Sequence, residues 1–170
     1  LDEMTATMRE MAGMLNNAPD VLAAMRRAIA ENADLHKEVE EYFKERVNAL
    51  AKTVLEKAET VNGVKIVTLG GVRMPEMAKN VAFAVRAASP EATVFLSATA
   101  DISGKPLLTV MLTDDVVQHG LNASQMVRDA AKKIQGGGGG QPGFAQAGGK
   151  NKDGLSEAFE ILMSMAKNMH

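Results

Sequence analysis

The chain of 170 residues has no cysteine, no tryptophan, one tyrosine and only five phenylalanines. Without cysteine, a disulfide framework, a thiol nucleophile and a thiolate metal ligand are all excluded. No uncharged run approaches the roughly 20 apolar residues that a membrane-spanning helix requires, and no secretory signal pattern is visible. These absences exclude a disulfide-rich secreted scaffold, and they predict a cytoplasmic protein with no membrane partner.

The residues that usually carry catalysis are also scarce. The three histidines, His36, His119 and His170, are not at metal-binding spacings. We interpret His119 as a loop residue, with an RNA contact as the alternative. Asp114 and Asp115 follow a β-rich run, and adjacent carboxylates at such a point cap the next segment more often than they catalyse. The sequence therefore predicts no catalytic residue, no metal and no cofactor.

The first third of the chain, residues 1–62, has a helical pattern. Leu1, Met4, Met8, Met11 and Leu15 recur every three or four residues. Residues 16–19 break this stripe, and Pro19 is expected to open a second helix. No glycine or proline occurs from residue 21 to residue 61, which predicts a helix about 60 Å long. We expect a helical hairpin or a coiled-coil stalk that dimerises, in a chain that opens within a helix as a fragment of a longer protein would.

The pattern of the remaining part, residues 63–170, changes to alternating strands and helices. Residues 64–69, 93–99 and 107–113 are rich in β-forming residues, and residues 75–88 are bounded by prolines as a helix would be. Asn122 followed by Gln125 resembles a capping box that opens a helix to about Gln135. The predicted order is β-α-β-β-α-loop-α. The fold class expected for the whole chain is α+β, with the helical stalk preceding this small α/β-like domain.

A glycine-rich segment, residues 136–149, is the most informative part of the sequence. Residues 1–62 carry a net charge of −4 and residues 63–170 a net charge of +2, and residues 128–152 contain five basic residues against one acid. A glycine loop can form a nest of converging N–H groups for an anion, or it can be a flexible linker. The predicted RNA-binding residues are Arg128, Lys132, Lys133, Gly136, Gly137, Gly138, Gly139, Gly140, Gln141, Gln146, Gly148, Gly149, Lys150 and Lys152.

Two known nucleotide-binding loops do not fit this segment. Gly138, Gly140 and Gly143 match G-x-G-x-x-G, but a helix rather than a strand precedes them. A phosphate-binding P-loop aligned on Lys150 would need glycine at Phe144 and serine or threonine at Asn151. Both interpretations are therefore excluded.

A helix ending in Ala-Lys-Lys-Ile, a glycine run, a proline and then Ala-Gln-Ala-Gly-Gly-Lys at residues 145–150 resembles the signature of alanyl-tRNA synthetase C-terminal domains. The resemblance spans about residues 63–165, and residues 1–62 are similar to the dimerising stalk of that family. Gln141 stands where the family often has arginine and Gly143 where it often has aspartate. The same globular domain occurs in DHH-type phosphoesterases.

This resemblance implies a module that binds alanine-specific tRNA and links the aminoacylation and editing parts of an ATP-dependent alanine–tRNA ligase. It also implies contacts with the other domains of that enzyme and a homodimer formed through the stalk, with no chemistry in this chain. Two alternatives stay open. The chain could be a structural dimerisation or spacer module, or the substrate-binding domain of a DHH-type phosphoesterase.

Overall fold

The computed structural model describes residues 1–169 and divides into two compact units, Leu1–Lys44 and a second unit that begins at Glu45. The first unit contains α1 (Asp2–Met14) and the beginning of α2 (Val21–Glu56). The Asp20 carboxylate accepts the N–H of Ala23 at 3.0 Å, which caps α2. The prediction that Pro19 opens this helix is therefore wrong, because the capping carboxylate sets its start.

The end of α2 also differs from the prediction of a helix reaching residue 61. The helix stops at Glu56, and β1 (Glu59–Val61) pairs antiparallel with β2 (Val64–Leu69). Asn62 and Gly63 connect the two strands with φ angles of 53° and 79°. Two consecutive left-handed residues favour a tight hairpin whose twist matches its strands. The Asn-Gly pair therefore turns the chain into a hairpin rather than simply ending a helix.

The second unit is a mixed six-stranded sheet with helices on both faces, which confirms the α+β class. After β2 come α3 (Pro75–Ala88), β3 (Thr93–Ala100), β4 (Pro106–Leu112), α4 (Asp114–Gln118) and α5 (Ala123–Ala131), then β5 (Gly137–Gln141), β6 (Phe144–Gly148) and α6 (Leu155–Lys167). The strand order is β1-β2-β3-β4-β6-β5. The pair β2–β3 is parallel, and the other pairs are antiparallel. Among residues 1–169, no helix combines the length and the apolar character needed to cross a bilayer.

Alternate strand residues build the two buried layers. Val94, Leu96 and Val110 lie on the face covered by α5 and α6, where they join one continuous hydrophobic cluster. Phe95 and Met111 are equally buried and, by strand alternation, point to the other face, where α3 packs. Burial on both faces explains why these central strands are apolar almost throughout.

The start of α5 follows the predicted cap. The Asn122 side chain accepts the N–H of Gln125 at 3.1 Å, as an N-cap residue should. Regular α-helix ends at Ala131, and a 3-10 turn (Lys132–Ile134) leads to Gln135, whose φ is 53°. The predicted helical segment to about residue 135 therefore ends in this tighter turn.

The glycine-rich segment is a β-hairpin, so the prediction of a loop over residues 136–149 is wrong. Gly138 pairs with Ala147, and Gly140 pairs with Ala145. A Cβ atom on Gly138 would overlap the carbonyl oxygen of Gln146 and lie 2.5 Å from the Cα of Ala147. Because β5 lacks side chains on this side, its backbone can approach β6 more closely than a substituted strand could.

We therefore expect Gly138→Ala to destabilise the fold by about 1–3 kcal/mol, as overpacking of a filled site does. Gly137→Ala is the matched control, because a Cβ on Gly137 meets nothing within 4 Å. Thermal unfolding followed by circular dichroism measures both variants. Equal melting temperatures for the two alanine variants would contradict the close approach of β5 and β6.

Candidate nucleic-acid interface

Strand β5 also lies against helix α5 through Gly139. A Cβ atom at Gly139 would be 3.3 Å from the Oγ of Ser124 and 3.4 Å from the Nη2 of Arg128. The Arg128 guanidinium therefore rests beside the bare backbone of β5. Ser124 is buried, and its hydroxyl has no hydrogen-bond partner among the described residues. One predicted RNA-binding cation thus lies beside the glycine strand.

The lysines gather around the 3-10 turn that follows α5. Lys132 and Lys133 belong to this turn, and both are exposed. The carbonyl oxygen of Ile134 accepts the backbone N–H groups of Lys150 and Asn151, each at 2.9 Å. The chain that leaves β6 therefore returns to the same turn and brings exposed Lys150 beside it. We call Lys132, Lys133 and Lys150 the lysine turn.

Two contacts involve lysines in or near the lysine turn. The Nζ of Lys133 lies 3.4 Å from a carboxylate oxygen of Glu157, in a pair whose side chains are both about half exposed or more. Such exposed pairs are weak and leave the cation available to a stronger anion. Lys152 lies in a second 3-10 turn (Lys152–Gly154), and its Cδ is 3.8 Å from the Cβ position of Gly104 in the β3–β4 turn. Lys152 therefore lies beside the β3–β4 turn.

The predicted glycines are part of the sheet. Gly137 pairs with Gly148 and Gly139 with Gln146, and the N–H groups of Gly136 and Gly149 bond to the carbonyl oxygens of Ala131 and Pro106. The interpretation as a nest is wrong, because successive N–H groups in an extended strand point in opposite directions and do not converge. The flexible-linker interpretation is also wrong, because residues 137–141 pair with β6 in the sheet.

The two predicted glutamines lie apart. Gln141 is exposed at the end of β5, whereas the Nε2 of Gln146 donates to the Oγ1 of Thr109 at 3.0 Å. Ala145 and Ala147 are buried on the α5 side of β6, so Gln146 faces the opposite side. The hairpin therefore separates the candidate residues onto two surfaces. That these residues contact RNA stays a prediction.

Asp115 and His119, which the sequence analysis also considered, contact backbone groups of the domain. The two carboxylate oxygens of Asp115 accept the N–H of Ala92 at 3.1 and 2.9 Å, in a turn where Ala92 has a φ of 50°. Hydrogen bonding from the Thr113 hydroxyl, together with the Ala92 N–H, holds the pKa of Asp115 below its ordinary value, against burial that raises it. His119 is exposed, and its Nδ1 lies 2.7 Å from the Asp115 carbonyl oxygen. His170 lies outside the described residues.

Within residues 1–169, no group of three or more histidine, aspartate or glutamate side chains is arranged to hold a metal ion.

The sequence did not indicate an aromatic pair formed by Phe83 of α3 and Phe144 of β6, whose ring centroids are 4.8 Å apart. The two residues are 61 positions apart in the chain. No spacing in the sequence indicates their contact, because the sheet register alone brings them together.

Comparison with known proteins gives consistent matches. The model of the DHHA1 domain matches residues 63–168. The alanine–tRNA ligase of Bacteroides thetaiotaomicron is 45% identical over 98% of this chain and 19% of its own length, and that of Bacteroides fragilis strain YCH46 is 43% identical over the same shares. The chain therefore spans about a fifth of these curated relatives.

A solved structure also matches this fold. The C-Ala domain from Aquifex aeolicus alanyl-tRNA synthetase superposes with a TM-score of 0.55 at 26% identity, covering 65% of this chain and 98% of that chain. Together with the sequence matches, it confirms the resemblance to alanyl-tRNA synthetase C-terminal domains that residues 132–150 indicate.

The role of Asp115 has a testable pH dependence. A carboxylate whose pKa is lowered by folding stabilises the fold above its unfolded pKa, around pH 4, and loses that contribution as pH falls through the folded value. We expect Asp115→Asn to lower stability near pH 7 by about 1 kcal/mol, and the difference from the parent to shrink below pH 4. Urea unfolding at pH 7 and pH 3 measures this, with Asp114→Asn as the control. A difference that is the same at both pH values would contradict it.

Proposed function

The chain belongs to the DHHA1 domain family, and from this premise we propose that it is the C-terminal tRNA-binding module of an alanine–tRNA ligase. In this proposal the module binds alanine-specific tRNA and supports aminoacylation and editing by the complete ATP-dependent enzyme in the cytoplasm. It performs no chemistry and needs no cofactor of its own. Its protein partners are the other domains of the ligase and a second copy of the chain.

The basic surface around the hairpin is the observation that best supports tRNA binding. The whole chain has a net charge of −2, yet the chain after β6 brings exposed Lys150 back to the turn that carries exposed Lys132 and Lys133. Lysines without a fixed acceptor contact phosphates as point charges, and such contacts position an RNA without reading its sequence. This surface therefore suits the folded backbone of a tRNA.

The arrangement favours this proposal over the alternative of a pure spacer. A spacer requires no clustering of cations, whereas the Ile134 carbonyl accepts the backbone N–H groups of Lys150 and Asn151 and so holds Lys150 beside the turn that follows α5. The relatives support the ligase over the phosphoesterase alternative, because alanine–tRNA ligases are 45% and 43% identical to this chain. The spacer alternative is an outcome of the binding experiment below.

Dimerisation is the second part of the proposal, and it rests on the apolar surface of the first unit. Large apolar side chains there are exposed, among them Leu1, Met4, Met8, Leu22, Ile29, Leu35 and Val39. An amphipathic helix buries its apolar stripe against a partner, and contiguous exposed apolar surface is typical of protein interfaces. We propose that a second copy of the chain covers the stripe.

Substitution of the lysines tests the tRNA-binding surface. We expect replacement of Lys132, Lys133, Lys150 and Lys152 by alanine to weaken binding of transcribed alanine tRNA. Each lost phosphate contact should also reduce the slope of log affinity against log salt by about 0.7–0.9. Filter binding or anisotropy at several salt concentrations measures both quantities.

The matched control replaces four lysines of α2 or its end, Lys37, Lys44, Lys52 and Lys57. It removes the same charge from a different part of the chain, and it should leave the slope nearly unchanged. If the two quadruple variants bind tRNA equally well with equal slopes, the lysine turn is not the tRNA site and the spacer interpretation is favoured.

Substitutions in the apolar stripe of α2 test the proposed dimer. Ile29 is 63% exposed on the apolar stripe of α2, and Ala30 lies about 100° around the helix from Ile29, to one side of that stripe. We expect Ile29→Glu to shift the chain from dimer to monomer in sedimentation velocity at micromolar concentration, because it places a charge in an apolar seam. Ala30→Glu adds the same charge and should leave the dimer intact. A parent chain that sediments as a monomer would refute the proposal.

A further inference from the structure

The side of β6 that points away from α5 carries Phe144 and Gln146, two residues apart on one strand face. On this side Phe144 contacts Phe83 of α3, with ring centroids 4.8 Å apart and ring planes tilted by 43°. Both rings are only partly buried. The two rings therefore lie at the surface of the sheet and are partly accessible to solvent.

Two cations flank the same ring. The Arg86 guanidinium carbon is 5.1 Å and the Lys79 Nζ is 5.9 Å from the centroid of Phe83. Lys79, Phe83 and Arg86 are spaced by four and three residues, so they lie on one face of α3. We call Lys79, Phe83, Arg86 and Phe144 the aromatic–cationic patch.

This grouping differs from ordinary core packing. The chain has six aromatic residues, and Phe95 shows the alternative, since it is completely buried within the sheet. Two of the six, Phe83 and Phe144, instead meet at the surface, and two cations lie over the ring of Phe83. The face of an aromatic ring attracts a cation, so Phe83 holds the Arg86 guanidinium in a defined place before any ligand arrives.

We propose that the aromatic–cationic patch binds an exposed nucleobase of the RNA ligand, and this inference rests on the proposed tRNA-binding function. A base stacks on aromatic rings and on arginine guanidinium planes, and the patch offers both. Lys79 and Arg86 then lie close to the phosphates that flank the base. The Gln146 side chain lies on the same face of β6, and because its Nε2 donates to Thr109, its Oε1 is the atom that accepts a hydrogen bond from the base edge.

The charge and the position of the patch specify an RNA rather than an apolar peptide. Lys79 and Arg86 complement the negative backbone of a nucleic acid, whereas an apolar ligand would leave these cations without a partner. Phe144 and Lys150 are six residues apart along β6 and its exit, which is about 20 Å of extended chain. A folded RNA that spans several nucleotides reaches both the patch and the lysine turn.

Fluorescence tests the stacking directly, because the chain has no tryptophan. Phe144→Trp and, separately, Phe83→Trp each introduce a single reporter. Transcribed alanine tRNA is then titrated at low salt. A stacked base should quench the reporter as binding saturates, whereas Tyr42→Trp on α2 should show no quenching. Saturated binding with unchanged emission from both patch reporters would overturn the inference.

Binding measurements separate stacking from charge. Phe83→Leu with Phe144→Leu keeps apolar bulk but removes the rings. We expect binding about 5- to 100-fold weaker with an unchanged salt slope. Arg86→Gln and Lys79→Gln should each lower the slope by about 0.7–0.9, while Lys65→Gln, exposed on β2, is the control. Thermal melts check folding, and the tryptophan variants carry the test if the leucine variants unfold.

The outcomes distinguish this inference from the proposed function. If the parent chain binds tRNA through the lysine turn but the leucine variants bind as tightly as the parent and the reporters stay unquenched, the patch alone is refuted. If the parent chain does not bind tRNA at all, the proposed function fails and the patch has no RNA ligand. Loss of affinity in the leucine variants together with quenching supports the inference.

Discussion

The close approach of β5 to its neighbours is the constraint on which the packing of the second unit depends. A Cβ on Gly138 would overlap the backbone of β6, and a Cβ on Gly139 would crowd Ser124 and Arg128 of α5. The glycine strand therefore fits between a helix and a strand only because it has no side chains. The same tight packing continues at Gly154, where a Cβ would overlap the Lys133 carbonyl oxygen. Together these contacts fix the hairpin, the lysine turn and the beginning of α6 relative to one another.

Strand β6 has two different faces. Its alanines pack under α5 in the hydrophobic core, while Phe144 and Gln146 face α3 and the solvent-exposed side. The chain after β6 returns to the end of α5 through the Ile134 carbonyl. The cations and rings of the proposed RNA-binding surfaces are therefore placed on ordered elements rather than on a mobile loop, which would lower the entropy that binding must overcome.

Much of this fold could be predicted from the sequence. The strands at residues 64–69, 93–99 and 107–113, the helix at 75–88 and the Asn122 cap appear in the structure within about a residue, because alternation and capping are local signals. The hairpin was missed because a run of glycine has no side-chain pattern to read. The contact of Phe83 with Phe144 was missed because it depends on the pairing of β6 with β4, which is a long-range feature.

Amide hydrogen exchange in the free chain, followed by NMR, is the most direct test of the central claim that the glycine segment is an ordered strand without RNA. The account predicts that amides of residues 137–141 that pair with β6 exchange much more slowly than unstructured glycine, with protection comparable to that of β6 itself. Exchange of all five amides at the rate of a flexible linker would contradict the account, because the basic surface and the patch would then have no fixed platform.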